Sequence, residues 1–193
     1  MNQQAKTNRS ESHTQDYGVM TAPDTVRLER LLPGPIERVW SYLTESEKRG
    51  QWLASGEMDL RVGGRVEHLF SNSTLTGHDD PPPAKYERHT CASTMQGRIT
   101  ACEPPRLLAY TWGEDAGGES QVVFELSPRG DKVQMVITHS RLATRDDMIS
   151  VSAGWHAHVG ILIDRLSGRQ PESFWPTHTR LEADYEARIP VNS

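Results

Sequence analysis

The chain has 193 residues, of which 35% are hydrophobic, a formal net charge of −5 and a pI near 5.9. That composition supports one good hydrophobic core and no more, because domains commonly hold about 100 to 150 residues. An acidic balance with no Lys/Arg cluster excludes a phosphate-tracking nucleic-acid binder, and no apolar run approaches the roughly 20 residues of a membrane helix, so no membrane insertion is expected.

Met1 to Asp24 is polar, aperiodic and rich in Gln, Asn, Ser and Thr, so a disordered tail is expected over residues 1–23. Arg9, Glu11 and Asp16 stand where a secretory signal would carry its hydrophobic stretch, which makes a cytoplasmic protein the expectation. Val26 to Leu32 reads as a strand. Pro35 opens a helix reaching about Leu43, and Thr44 with Glu47 has the capping-box spacing for a shorter helix running to Trp52. Glu57 to Val62 and Arg65 to Phe70 alternate as strands, joined by Gly63-Gly64, a pair able to supply the positive φ angles of a tight hairpin. Ser71 to Thr90, with His78-Asp79-Asp80 and Pro81-Pro82-Pro83, is a long insertion of the kind that is often functional. Thr94 to Glu103, Leu107 to Trp112, Gln121 to Ser127 and Lys132 to His139 continue as strands, the last two linked by the turn Pro128-Arg129-Gly130-Asp131. Cys91 and Cys102 have no CxxC partner and point to ordinary thiols rather than a disulfide framework.

Thr144 to Gly168 then reads as one long amphipathic helix. Thr144 and Asp147 form a capping-box pair, Asp146 adds negative charge to the first turn, and Gly168 supplies the stop. Met148, Val151, Trp155, Val159, Leu162 and Leu166 recur at three- and four-residue steps and share one face, which needs a sheet to cover it. Residues 170–193 form an extension with a short helix, Thr177 to Arg188, docked through Phe174 and Trp175. Short connectors imply antiparallel neighbours, so the fold class is α+β: an antiparallel sheet wrapped around one long C-terminal helix, with two short helices between the first two strands.

Several phrases in this order carry a family resemblance. They are Arg30-Leu31-Leu32-Pro33 with Pro35-Ile36-Glu37-Arg38-Val39-Trp40, the run Gly97 to Trp112 with Pro104-Pro105 at its centre, Val122 to Leu126, Thr138-His139, Gly154-Trp155, and Leu162 with Asp164-Arg165-Leu166. Together they resemble the activator of heat-shock protein 90 ATPase homologue-like branch of the START-like (SRPBCC) superfamily over about residues 24–169. The resemblance implies a helix-grip fold, with a cavity between a curved sheet and the long helix. It implies three functional readings: a binder of a small hydrophobic or amphipathic molecule, a chaperone-associated regulator, and an enzyme of cyclase or hydrolase type. The insertion at 71–90 and the extension at 170–193 lie outside the family's core pattern, at places where they can reshape a pocket mouth.

Strand alternation places Phe124 on the inner face of one strand and Met135, Ile137 and His139 on that of the next, with Tyr110 and Trp112 sharing a parity. The helix adds Trp155, Val159 and Leu162. These eight apolar and aromatic residues, Tyr110, Trp112, Phe124, Met135, Ile137, Trp155, Val159 and Leu162, are the candidate ligand contacts; the alternative is that they simply fill the core, where a Trp or Met at such spacing more often belongs. His139, His158 and Glu67 are the candidate acid–base groups, since imidazole titrates near neutrality. His156 and His158, two apart on a helix, are about 200° apart around its axis and do not converge on a metal. His78, Asp79, Asp80, Glu87 and His89 include ligand types but no fixing scaffold. No phosphate-cradling glycine motif, Gly-x-Ser-x-Gly elbow or zinc spacing is present, so no cofactor and no metal are expected. A homodimer is compatible with this reading, dimers being common among soluble proteins.

Overall fold

A computed structural model of the chain describes residues 17–78, 80–89, 93–113 and 120–191. Most of the expected tail lies outside the described residues. Within it, however, Val19–Ala22 forms a short edge strand, β1, paired with β2 (Thr25–Pro33). Helices α1 (Ile36–Thr44) and α2 (Ser46–Arg49) follow. Next come β3 (Arg65–Phe70), β4 (Ser93–Glu103), β5 (Leu107–Trp112), β6 (Ser120–Arg129) and β7 (Lys132–Ser140). The long helix α3 (Arg145–Leu166) and α4 (Phe174–Arg188) complete the chain.

The seven strands form one antiparallel sheet in the order β1-β2-β7-β6-β5-β4-β3. The meander β3 to β7 pairs neighbour with neighbour, and β2 closes it by pairing with β7 from Val26 opposite His139 to Pro33 opposite Lys132. A register shift between Ile99 and Ala101 interrupts the β4–β5 ladder, and irregularities of this kind bend a strand and increase its twist. Gly97 is required nearby, because a Cβ there would lie 2.0 Å from the Thr111 carbonyl oxygen. The concave face carries the alternating set Val122, Phe124, Leu126 and Val133, Met135, Ile137, His139, all buried.

Helix α3 crosses that face. Its capping box forms as read: Thr144 Oγ1 accepts from the Asp147 N–H, and the Asp147 carboxylate accepts from the Thr144 N–H at 3.0 Å. Gly168, at φ +68°, ends the helix in the left-handed region that favours glycine. Burial is not confined to one stripe. Ile149, Ala153, Ala157 and Ile161 are buried as well as Met148, Trp155, Val159 and Leu162, because α4 packs along α3 through Phe174, Leu181 and Tyr185. A helix covered on two sides is apolar nearly all round, with small residues where the second helix approaches.

Two expected elements differ. Glu57 to Val62 is an irregular segment held against β3 by an isolated bridge between Met58 and Val66, with Asp59 N–H donating to Arg65 O and Glu67 N–H to Glu57 O. Met58 packs against the core, but at the sheet margin Leu60 and Val62 have no such cover and are 39% and 72% exposed. Gly63 and Gly64 bond instead to Ile99 of β4. The second capping box does not form either. Thr44 is the last residue of α1, and its hydroxyl bonds back to the Trp40 carbonyl, so Glu45 precedes α2 without a side-chain cap.

Candidate functional site

The space between sheet and helix is largely filled. Tyr110, Phe124, Met135, Ile137, Val159 and Leu162, six of the eight candidate contacts, are buried core residues that do not border the main opening. Tyr110 stacks on Phe124 with ring centroids 5.9 Å apart, and Phe124 meets Trp155 edge to face at 5.4 Å. These rings close the middle of the grip. The opening, about 360 Å³, lies toward the end of the sheet where β3, β4 and β5 meet the first half of α3, and Trp112, Trp155, His139 and His158 all border it.

Its walls come from elements that strand alternation alone did not single out. Phe70 and Met95 contribute from the sheet, and Gly154 from α3 leaves room, since a Cβ at that position would meet no atom within 4 Å. The roof is made jointly by the insertion and the C-terminal extension. Tyr86, from the short 3-10 helix Ala84–His89, stacks on Trp175 at 5.5 Å and meets His178 edge-on at 5.2 Å. Tyr86 Oη donates to Glu182 at 2.6 Å, and Lys85 Nζ reaches the same carboxylate oxygen at 2.7 Å. Trp175 Nε1 donates to Ser73 Oγ at 3.0 Å, and Gln170 and Arg165 tie α3 and its end to the Thr76 and Leu75 carbonyls. Burial alone would raise Glu182, but the hydrogen bonds from Lys85 and Tyr86 outweigh it and hold its carboxyl below the usual range. The position of the Phe174-Trp175 pair was legible as a docking point. That the insertion would meet it was not.

Three histidines border the pocket: His139 and His158 differ in how their nitrogens are used, and His178, from α4, keeps Nδ1 buried with no hydrogen-bond partner among the described residues. His139 Nδ1 accepts from Trp155 Nε1 at 3.0 Å, so the proton sits on Nε2, which donates to Ser120 Oγ at 2.8 Å. Ser120 in turn donates to the Trp112 carbonyl at 3.3 Å. Every hydrogen in the chain runs one way, and His139 holds no lone pair with which to take the serine proton. A serine nucleophile needs the opposite arrangement, with the imidazole as acceptor. His158 Nδ1 bonds to the Trp52 carbonyl at 2.7 Å, and a carbonyl only accepts, so Nδ1 carries the proton. Nε2 is left with its lone pair and no protein partner among the described residues. Burial pulls His139 to about 3 and His158 to about 4, and both rings are neutral near pH 7.

Glu67 does not join them. It projects from the opposite face of β3, paired with Arg65 at 3.4 Å, because its odd–even position is out of phase with the inward residues Val66 and His68. The inward neighbour that sequence reasoning passed over is His68, buried among Phe70, Tyr110 and Trp112, with Nε2 3.2 Å from Tyr110 Oη. Burial, with Arg49 and His158 nearby, pulls it to about 3. His156 and His158 do diverge: His156 Nδ1 lies 3.1 Å from Tyr185 Oη on the α4 side. Asp79 and the His89 side chain of the insertion's acidic and histidine cluster lie outside the described residues.

Comparison with known proteins agrees with this architecture. The family model described as Activator of Hsp90 ATPase homolog 1-like protein matches residues 33–166. Among solved structures, the protein encoded by gene BPP1335 of Bordetella parapertussis shares 43% identity over 91% of this chain and 92% of its own, with a TM-score of 0.76. CalU16 of Micromonospora echinospora, at 20% identity over 86% of this chain and 87% of its own, has a TM-score of 0.61. EF2215 of Enterococcus faecalis, at 18% identity over 91% of each chain, also scores 0.61. The last two show the shared fold alone. A search of curated proteins returned no match. The helix-grip fold, the family model spanning both sheet and long helix, and the 43% identical relative converge: the chain belongs to the Activator of Hsp90 ATPase homolog 1-like family, within the START-like (SRPBCC) superfamily.

Proposed function

We propose that this protein binds a small hydrophobic or amphipathic molecule in the opening bordered by Trp112, Trp155 and the Phe174-Trp175 roof. The observation that carries the reading is the pocket itself, about 360 Å³ with mostly apolar and aromatic walls beside an otherwise filled core. Binding sites for small molecules have this size and lining, with a few placed polar atoms. The one-way hydrogen-bond chain at His139 speaks for binding over acid–base turnover. Both of its imidazole nitrogens are already committed.

Native mass spectrometry of protein purified from its own host, set against a denatured sample, tests the reading directly. A small molecule released on denaturation is the expected result. Gly154→Leu supplies the structural arm, because the added side chain enters open space. That variant is expected to stay folded and to lose the bound species. A bare mass in the wild type, with no small apolar probe binding in solution, would sink the proposal.

A further inference from the structure

The pocket's chemistry narrows what it holds. Its bordering residues include no Asp, Glu, Lys or Arg among those described, so an ionic ligand would find no counter-charge among them. The roof carboxylate of Glu182 is already occupied by Lys85 and Tyr86. Aromatic rings stand on several sides: Trp112 and Trp155 meet edge to face at 5.1 Å, and Phe174 lies against the His158 ring at 4.6 Å. Flat walls of this kind suit a planar ring.

Asn72, Ser93, Thr94 and His178 also border the opening, and among its polar groups the hydrogen bonds define spare acceptors on His158 and Ser150. The Trp52 carbonyl takes the Nδ1 proton of His158, which leaves Nε2 as an acceptor without a partner among the described residues. Tyr86 gives its proton to Glu182, so the Ser150–Tyr86 contact at 3.1 Å is donated by Ser150, and the serine's lone pairs remain. Of the other two imidazoles at the pocket, His139 has both nitrogens committed, and His178, from the roof helix, keeps Nδ1 buried without a partner among the described residues. The same burial that keeps these rings neutral penalises an incoming cation.

We infer that the pocket selects an uncharged aromatic molecule bearing a hydrogen-bond donor, a hydroxyl in the simplest case, which donates to Nε2 of His158. This rests on the cavity reading above and adds the class of its occupant.

Four matched probes test it by calorimetry at pH 7: 2-naphthol, 2-methoxynaphthalene, 2-naphthoate and 2-naphthylmethylammonium. The naphthol is expected to bind about tenfold more tightly than the methoxy compound, the effect of one neutral hydrogen bond, and more tightly than either ion. His158→Phe should bring naphthol down to the methoxy affinity and leave the methoxy affinity in place. Should that variant fail to fold, the wild type still decides. The imidazole nitrogen-15 resonance of His158 Nε2 should move upfield on adding naphthol and stay fixed on adding the methoxy compound. Equal affinities of naphthol and its ether, with a stationary resonance, would overturn the donor assignment and leave the cavity reading standing. Tightest binding by either ion would overturn the uncharged class. No binding by any of the four would overturn this inference and the cavity reading together.

Discussion

His139 and His158 border the same pocket, both buried and both neutral, yet one ends in a closed circuit and the other in an open one. His139 sits on β7 between an indole N–H and a serine hydroxyl, so each nitrogen has a partner and the ring braces sheet to helix. His158, one helical turn beyond Trp155, spends its proton on the Trp52 carbonyl and offers a lone pair to the opening. A histidine beside a cavity is therefore not a site by virtue of its type. What its two nitrogens already hold decides whether it braces or binds.

Breaking the closed circuit should cost the most. Trp155→Ala removes a ring packed on Trp112 and Phe124 along with the donor to His139, and a loss of about 3–5 kcal/mol in chemical denaturation is expected. A loss below about 1 kcal/mol would show that the indole is not part of the packed core. Ser120→Ala leaves the His139 Nε2 proton buried without an acceptor and should cost about 1–3 kcal/mol.

Acid acts on both histidines. Their folded values, about 3 for His139 and about 4 for His158, lie below the ordinary 6.5, so the unfolded chain takes up protons first. Their contribution is complete above pH 6.5 and is lost as pH falls toward the folded values. Each ring should then remove up to about 1.4 kcal/mol of stability per pH unit between roughly pH 6 and 4. Denaturation series at pH 7, 6, 5 and 4 measure it, and His139→Gln should lower the slope. An unchanged slope would detach His139 from the effect.

The smallest effect is expected at the roof. Glu182→Gln weakens the bonds from Lys85 and Tyr86 at a partly exposed position, so stability should drop by no more than about 1 kcal/mol. Dissociation of a bound apolar probe, followed by stopped-flow fluorescence, should nevertheless quicken. Unaltered dissociation would mean that the clasp does not restrain the pocket mouth.

The architecture was legible because its signals are local and periodic. The Thr144–Asp147 box, the three- and four-residue steps from Met148 to Leu166, and the alternation through Val122–Leu126 and Val133–Ile137 each need only neighbours along the chain. Where a local signal failed, a competing bond prevailed. The Thr44 hydroxyl turned back to Trp40, and Glu57 to Val62 had the alternation of a strand but a surface to cover Met58 alone, with Leu60 and Val62 left exposed. The strand β1 escaped notice because four mostly exposed residues carry no inward pattern; its place is set by pairing with β2.

The candidate site was legible in kind rather than in place. Trp112, Trp155, His139 and His158 do border the opening, while Tyr110, Phe124, Met135, Ile137, Val159 and Leu162 fill the core. Residue type and periodicity put nine of these on inward faces and His158 at the margin of the helix stripe, and on those grounds a filled space and an empty one look alike. Tertiary structure decided the rest: where large rings leave a gap beside Gly154, which nitrogen of each histidine is spent, and that residues 84–89 meet α4 over the mouth. The sequence by itself determined the helix, its cap and the inward faces of the sheet, since these follow from bond geometry repeated along the chain. Volume left over and lone pairs left unpaired depend on side chains far apart in sequence, and they exist only once the fold has brought those side chains together.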